Sequence, residues 1–231
     1  MKLPPAILHY SSRDELAGDL AEIVAADLRA AIADRGVATL AVPGGTTPGP
    51  FLKALSVQDL DWSAVRVMLT DERFVPESSD RSNTRLLRET LLANQAAAAT
   101  LVPFYMPADA PEDVLSEITA GVQAALPLDS CVLGMGEDMH TASLFPGADK
   151  LDTALAEVAP VVVPMRAPGA PEPRLTLSAP VLRAARNLHL LITGTGKQMA
   201  LERALAPGPV ADAPVRAVLN APTPITVHYA D

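Results

Sequence analysis

Glu137, Asp138 and His140 fall within four positions of one another in the stretch Cys131 to Gly147, CVLGMGEDMHTASLFPG, where the chain gathers groups able to move a proton. Imidazole is the one side chain there that exchanges a proton near neutral pH, its unperturbed pKa being about 6.5. Cys131, Val132 and Leu133 read as a buried strand that breaks at Gly134 and Gly136. Open α/β sheets bind ligands outside the carboxyl ends of their strands, so a glycine turn and a His at a strand end suit acid–base chemistry. A solvated acidic loop with an incidental His would carry the same letters. The buried strand before it favours a site, as do Thr141 and Ser143 leading into Leu144, Phe145, Pro146 and Gly147.

Five further groups put polar or charged residues at element ends. In PGGTTPGPFLKAL, after the apolar run Val37 to Val42, Gly44 and Gly45 permit a tight turn, Thr46 or Thr47 can cap a helix, and Pro48 suits its first position. The free N–H groups and dipole of such a helix start attract anions, although a plain strand-to-helix connection looks alike. Asp71, Glu72 and Arg73 end the run Val65 to Thr70, where they pack poorly but suit a crevice; a surface ion pair is the alternative. Ser82 and Asn83 follow at the start of an amphipathic helix marked by Leu86, Leu87 and Leu91, where capping alone could explain Ser82. Arg174 comes directly after a proline-rich loop, residues 167–173, and as bare sequence is a surface residue as readily as a ligand. Lys197 sits in the first turn of the helix begun by GTGKQMALERAL, where the dipole disfavours a cation unless an anion is near. A broken local rule of that kind points to function.

These residues need a scaffold, and the hydrophobic pattern supplies one. Ser12 and Glu15 have capping-box spacing, and Leu16, Leu20, Ile23, Val24 and Leu28 follow at helical intervals towards Gly36. Strands are expected at 37–42, 65–70, 101–105, 131–133, 158–165, 188–193 and 225–229, with helices at 111–126 and 214–219 among those between them. Such alternation predicts one α/β domain over residues 1–231, a three-layer αβα arrangement with a mainly parallel sheet. His9, His189 and His228 lie in strand-like or terminal contexts and read as structural or surface residues.

Composition narrows the partners. The chain is 49% hydrophobic and 19% charged, so it can bury a full core, and its net charge of -9 with no run of Lys and Arg argues against nucleic-acid and anionic-membrane surfaces. An anionic substrate would need a local basic cluster. Cys131 is the only cysteine and reads as a buried thiol. MKLPPAILHY lacks the apolar core of a signal peptide, and no apolar stretch approaches a bilayer span, so a soluble cytoplasmic protein is expected.

The run around His140 closely resembles the G-x-G-x-D-G-H-x-A-S-L-F-P signature of the 6-phosphogluconolactonases. The likeness extends to their G-G-S/T-T/S-P loop at Gly44, Gly45, Thr46, Thr47 and Pro48, to D-E-R-x-V-P from Asp71 with S-N at Ser82 and Asn83, and to P-x-x-R-[IL]-T-L ending in Arg174 to Leu177. It runs from about Val37 to Leu201. It implies the three-layer fold shared with glucosamine-6-phosphate deaminase and ribose-5-phosphate isomerase, and hydrolysis of a small sugar-phosphate lactone with neither metal nor cofactor, by a monomer or small homo-oligomer. In that picture Arg73, Arg174, Lys197 and the 44–47 amides hold phosphate, while His140, oriented by Asp138 or Asp71, activates water. One departure stands out: Met139 replaces the usual glycine, which implies either a strained left-handed backbone or a thioether in the pocket. The alternatives on the same fold are an amino-sugar-phosphate deaminase, whose relatives carry D-E-Y where this chain has Asp71, Glu72 and Arg73, and a catalytically silent sugar-phosphate sensor.

Overall fold

The computed structural model describes residues 5–231. In chain order it comprises β1 (Ala6–His9), α1 (Arg13–Arg35), β2 (Ala38–Val42), α2 (Gly49–Ser56), β3 (Val65–Leu69), β4 (Asp71–Arg73), α3 (Asn83–Thr90), β5 (Thr100–Leu101) and α4 (Pro111–Ala125). There follow β6 (Ser130–Gly134), α5 (Leu151–Leu155), β7 (Val162–Met165), β8 (Arg174–Leu177), α6 (Ala179–Arg183), β9 (Asn187–Thr193), α7 (Thr195–Leu205), α8 (Arg216–Leu219) and β10 (Ile225–Ala230). Seven strands form one sheet in the order β1-β10-β9-β6-β2-β3-β5, every pairing parallel.

Strand periodicity of two divides the core between the faces of this sheet. Leu40, Val42, Val67, Leu69, Val132 and Leu191 pack with α1, α2 and α3 on one side. Ala41, Met68, Cys131, Leu133, Leu190 and Ile192 pack with α4, α7 and α8 on the other. Layers of helix therefore cover a buried parallel sheet on both faces, the α/β architecture read from the alternation. The long α1 begins where expected: Ser12 accepts the Glu15 N–H at 3.1 Å, and Gly36 closes the far end in the left-handed conformation. The Glu15 carboxylate is taken chiefly by the N–H (2.7 Å) and hydroxyl (2.6 Å) of Ser11.

Several boundaries differ from the sequence reading. The strand expected at 101–105 is the two-residue β5, cut short because Pro103 has no N–H to give a ladder, and the one at 158–165 is only β7. The edge strand β1 was not anticipated behind Pro4 and Pro5. Nor was a second, antiparallel sheet, β4-β8-β7, whose strands of three or four residues are too short to show a period. It sets Arg73 opposite Arg174 and Asp71 opposite Thr176.

In the main sheet the chain winds outward from β2 through β3 to β5, then restarts at β6 on the other side of β2 and winds outward through β9 to β10. Loops leaving β2 and β6 diverge at this switch point, and a crevice opens between them.

Candidate active site

The loop after β6 is folded on itself by three hydrogen bonds: Gly136 N–H to His140 O (3.1 Å), Met139 N–H to Gly136 O (2.9 Å), and Thr141 Oγ1 to Gly134 O (2.8 Å). This presents His140 to the crevice with its ring packed on Gly136, where a Cβ would overlap both the imidazole and the Asp138 carboxylate. Only glycine fits there. Met139 has φ 65 and Ala142 φ 48, so two non-glycine residues with left-handed backbone flank His140 and Thr141. The Met139 side chain packs against the core and does not line the crevice, so of the two consequences implied for it the backbone one holds.

His140 Nδ1 lies 2.5 Å from Asp138 Oδ1, which also accepts the His140 N–H at 3.2 Å. Burial works against the Asp138 charge, but the hydrogen bond and charge of His140, with the backbone N–H, outweigh it and hold the carboxyl below its ordinary range. An ionised Asp138 can only accept, so Nδ1 carries the proton and donates it. The lone pair is then on Nε2, which has no protein hydrogen bond among the described residues. Such a group can take a proton from water. Asp71, the other carboxylate considered for orienting the ring, is instead engaged elsewhere: it accepts from Ser143 Oγ (2.5 Å) and pairs with Arg174 (3.5 Å).

Three cations share the crevice. Arg73 and Arg174 face each other across β4 and β8, an arrangement of like charges that is unfavourable in an antiparallel pair. Asp71 offsets one of them. The Nε atoms of both arginines are buried without a protein partner, which leaves donors for an anion. Burial lowers the Arg174 pKa, with Asp71 opposing, but a guanidinium keeps its charge. Lys197, from the first turn of α7, donates to Thr47 Oγ1 at 3.3 Å. Its pKa is pushed down by burial and partly restored by Glu137.

The loop leaving β2 closes the other wall. Gly44 lies so near the Asn83 side chain that any Cβ would overlap it, and Asn83 Nδ2 donates to Asp71 O at 3.1 Å. Gly44, Gly45, Thr46 and Thr47 all line the crevice, but neither threonine caps α2, whose N-cap position is Pro48 with no side-chain hydrogen bond. Thr47 is turned towards Lys197 instead.

Ser82 is not brought to the crevice. It is buried, caps α3 by accepting the Arg85 N–H (3.2 Å), and donates to Glu72 Oε2 (3.3 Å), so capping explains it in full. Glu72 is the hub there, accepting the N–H groups of Arg73, Asn83 and Thr84 and the Thr84 hydroxyl at 2.6–2.8 Å. Burial raises its pKa, with those four donors opposing. Ser143, which links Asp71 to Arg174, marked the stretch as polar in the sequence but was given no binding or catalytic role there. Its only signal was its place in the T-A-S-L-F-P run.

Together these residues enclose a cleft of about 230 Å³, lined by Gly44 to Thr47, Asp71, Arg73, Asn83, His140, Arg174 and Lys197. Of the residues given a binding or catalytic role in the sequence, Ser82 and the exposed Asp138 stand outside that lining, Asp138 reaching it through His140; of the two acidic clusters, Glu72 and Glu137 do not line it either. Among the described residues no group of three His, Cys, Asp or Glu side chains forms a metal site, and no helix is long and apolar enough to cross a membrane.

Comparison with known proteins bears on this arrangement. Residues 11–227 match the family described as glucosamine-6-phosphate isomerases/6-phosphogluconolactonase. A 6-phosphogluconolactonase of Rhizobium meliloti is 48% identical over 225 residues, spanning 96% of this chain and 97% of that one. One of Pseudomonas aeruginosa is 43% identical over 233 residues, spanning 99% and 97%. The crystal structure of a 6-phosphogluconolactonase from Shewanella baltica superposes with a TM-score of 0.95 at 34% identity, covering 98% of each chain. With a parallel sheet, a switch-point cleft and a family match over nearly its whole length, this chain belongs to the glucosamine-6-phosphate isomerase/6-phosphogluconolactonase family.

Proposed function

We propose that the protein hydrolyses 6-phospho-D-glucono-1,5-lactone to 6-phospho-D-gluconate, acting in the oxidative pentose phosphate pathway of the cytoplasm as a single domain whose cleft is complete within one chain. The observation that carries this reading is the pairing, in one cleft, of an Asp138-held imidazole having a free Nε2 with the cations Arg73, Arg174 and Lys197. The names of the relatives support it independently.

Arg73, Arg174, Lys197 and the amides of the 44–47 loop hold the phosphate, supplying binding energy remote from the bond that breaks. Nε2 of His140 takes a proton as a water oxygen adds to the lactone carbonyl carbon, giving a tetrahedral oxyanion. Asp138 stabilises the imidazolium so formed. Collapse of the oxyanion breaks the bond from that carbon to the ring oxygen, which leaves as an alkoxide and takes the proton back from Nε2. The product is the open acid, and no group on the protein is consumed.

The test is release of 6-phosphogluconate from freshly prepared lactone, read through a coupled dehydrogenase with spontaneous hydrolysis subtracted. Turnover by the wild type that collapses in His140→Ala is the expected result. Wild-type turnover no faster than background would sink the reading.

A further inference from the structure

Phe145 touches both working parts of the cleft. Its ring stacks on the His140 imidazole with centroids 4.1 Å apart and planes 28° apart, and the guanidinium carbon of Arg174 lies 5.1 Å from its centroid. The hydrogen bonds leave a task undone. Asp138 grips the imidazole by one nitrogen, and a ring held at one edge can still swing about that bond. Arg174 is held by contacts of 3.5 Å to Asp71 and Ser143, at the long end for an ion pair and a hydrogen bond. A flat, rigid surface against both groups removes that freedom.

The ring is itself well fixed. The Leu144 N–H binds Thr141 O (3.0 Å), the Ala148 N–H binds Phe145 O (3.1 Å), and the side chain is packed on the core beneath β6. We propose that Phe145 is a positioning residue that sets the plane of His140 and the spacing between this base and Arg174, a role resting on the lactonase reading above. A phosphate bound to the cations fixes where the lactone carbonyl lies, so Nε2 must be aimed to match. The π face also favours the imidazolium that forms when Nε2 takes its proton. Phe145 has no atom that can exchange a proton or bind phosphate, so it acts only through its neighbours.

The experiment compares Phe145→Leu, Phe145→Met and Phe145→Tyr in the wild-type and His140→Ala backgrounds, with 6-phosphogluconate affinity measured alongside turnover. Leu and Met remove the ring, and kcat is expected to fall about tenfold with KM little changed, since a misplacement of about 1 Å can cost up to 10²-fold. Tyr keeps the ring and is expected to recover most of the rate. In the His140→Ala background, removing the ring should do nothing further, because residues acting as a unit are not additive. Unaltered 6-phosphogluconate affinity would show that fold and anion site survive. Equal loss with and without His140, equal loss in Tyr and Leu, or an effect on KM alone would overturn the proposal while leaving the lactonase reading intact. A wild-type chain without turnover would instead remove that reading, and the role of the ring with it.

Discussion

His140 and the pair His189 and His228 belong to neighbouring parts of one sheet, yet they are built for opposite ends. His189 and His228 lie within β9 and β10, 5% and 0% exposed, and every nitrogen of the two rings has a partner. His189 Nε2 is 2.9 Å from Asp27 Oδ2, His189 Nδ1 is 3.2 Å from His228 Nε2, and His228 Nδ1 is 2.9 Å from the Tyr10 hydroxyl. With Asp27 ionised and both rings neutral the chain closes without a spare proton: His189 donates to Asp27, His228 donates to His189, and Tyr10 donates to His228. His140 also leans on an aspartate, but it stands past the end of β6, its side chain is 29% exposed, and its second nitrogen has no protein partner among the described residues. An aspartate beside a histidine therefore says little by itself. A spare nitrogen facing a cleft separates a base from a structural bond.

The largest expected effect tests that separation directly. His140→Ala should lower kcat by about 10² to 10⁴, the span usual for a general base, with little change in thermal midpoint. His189→Ala should do the reverse, leaving kcat near wild type and costing about 2 kcal/mol of stability as Asp27 and His228 lose a buried partner. Denaturant titration and steady-state kinetics on the same preparations read both. A fall in kcat for His189→Ala with stability intact would break the comparison.

The cations of the cleft come next. Lys197→Gln and Arg174→Gln should each raise KM by roughly 10- to 100-fold with kcat less affected, as expected for a lost charge-assisted contact to phosphate. A loss confined to kcat would move either residue into the chemical step.

Acid stability sharpens the contrast from the other side. Burial, together with the neighbouring His189, pushes the His228 pKa down to about 3, from an ordinary value of 6.5. The unfolded chain therefore takes this proton before the folded one does, and stability fully present above about pH 6.5 is lost as the pH falls towards 3. His228→Gln should flatten that limb of a stability–pH curve. An unchanged slope would mean that other groups carry it.

The smallest effect expected is at Met139. Replacing it with Gly relieves a left-handed backbone worth about 1 to 2 kcal/mol but gives up the packing of the thioether, so the net change should stay within about 1 kcal/mol. Because the side chain does not line the cleft, kcat should not move. A marked gain in turnover would show that Met139 restrains the loop that carries His140.

What could be read from the chain alone was whatever depends on neighbours in sequence. Periodicity of two and 3.6 revealed the alternating strands and helices, the Ser12 and Gly36 caps marked the ends of α1, and the glycines after buried strands marked where a crevice would open. The motifs around Gly44, Asp71, His140 and Arg174 could be recognised because each is a short contiguous run, glycine turns at the first and third and the short strands β4 and β8 at the other two. Tertiary structure alone decided the rest, since it depends on which distant residues meet. Asp138 rather than Asp71 holds His140 because β4 joins a second sheet and points Asp71 at Ser143 and Arg174. Ser82, readable from the sequence as a cap or a ligand, is kept from the crevice by its second bond, to the buried Glu72. Phe145 meets both His140 and Arg174 because the loop after β6 folds back against β8. Spacing along a chain records bond geometry and burial pattern, whereas the partner of a side chain is settled only when the layers close.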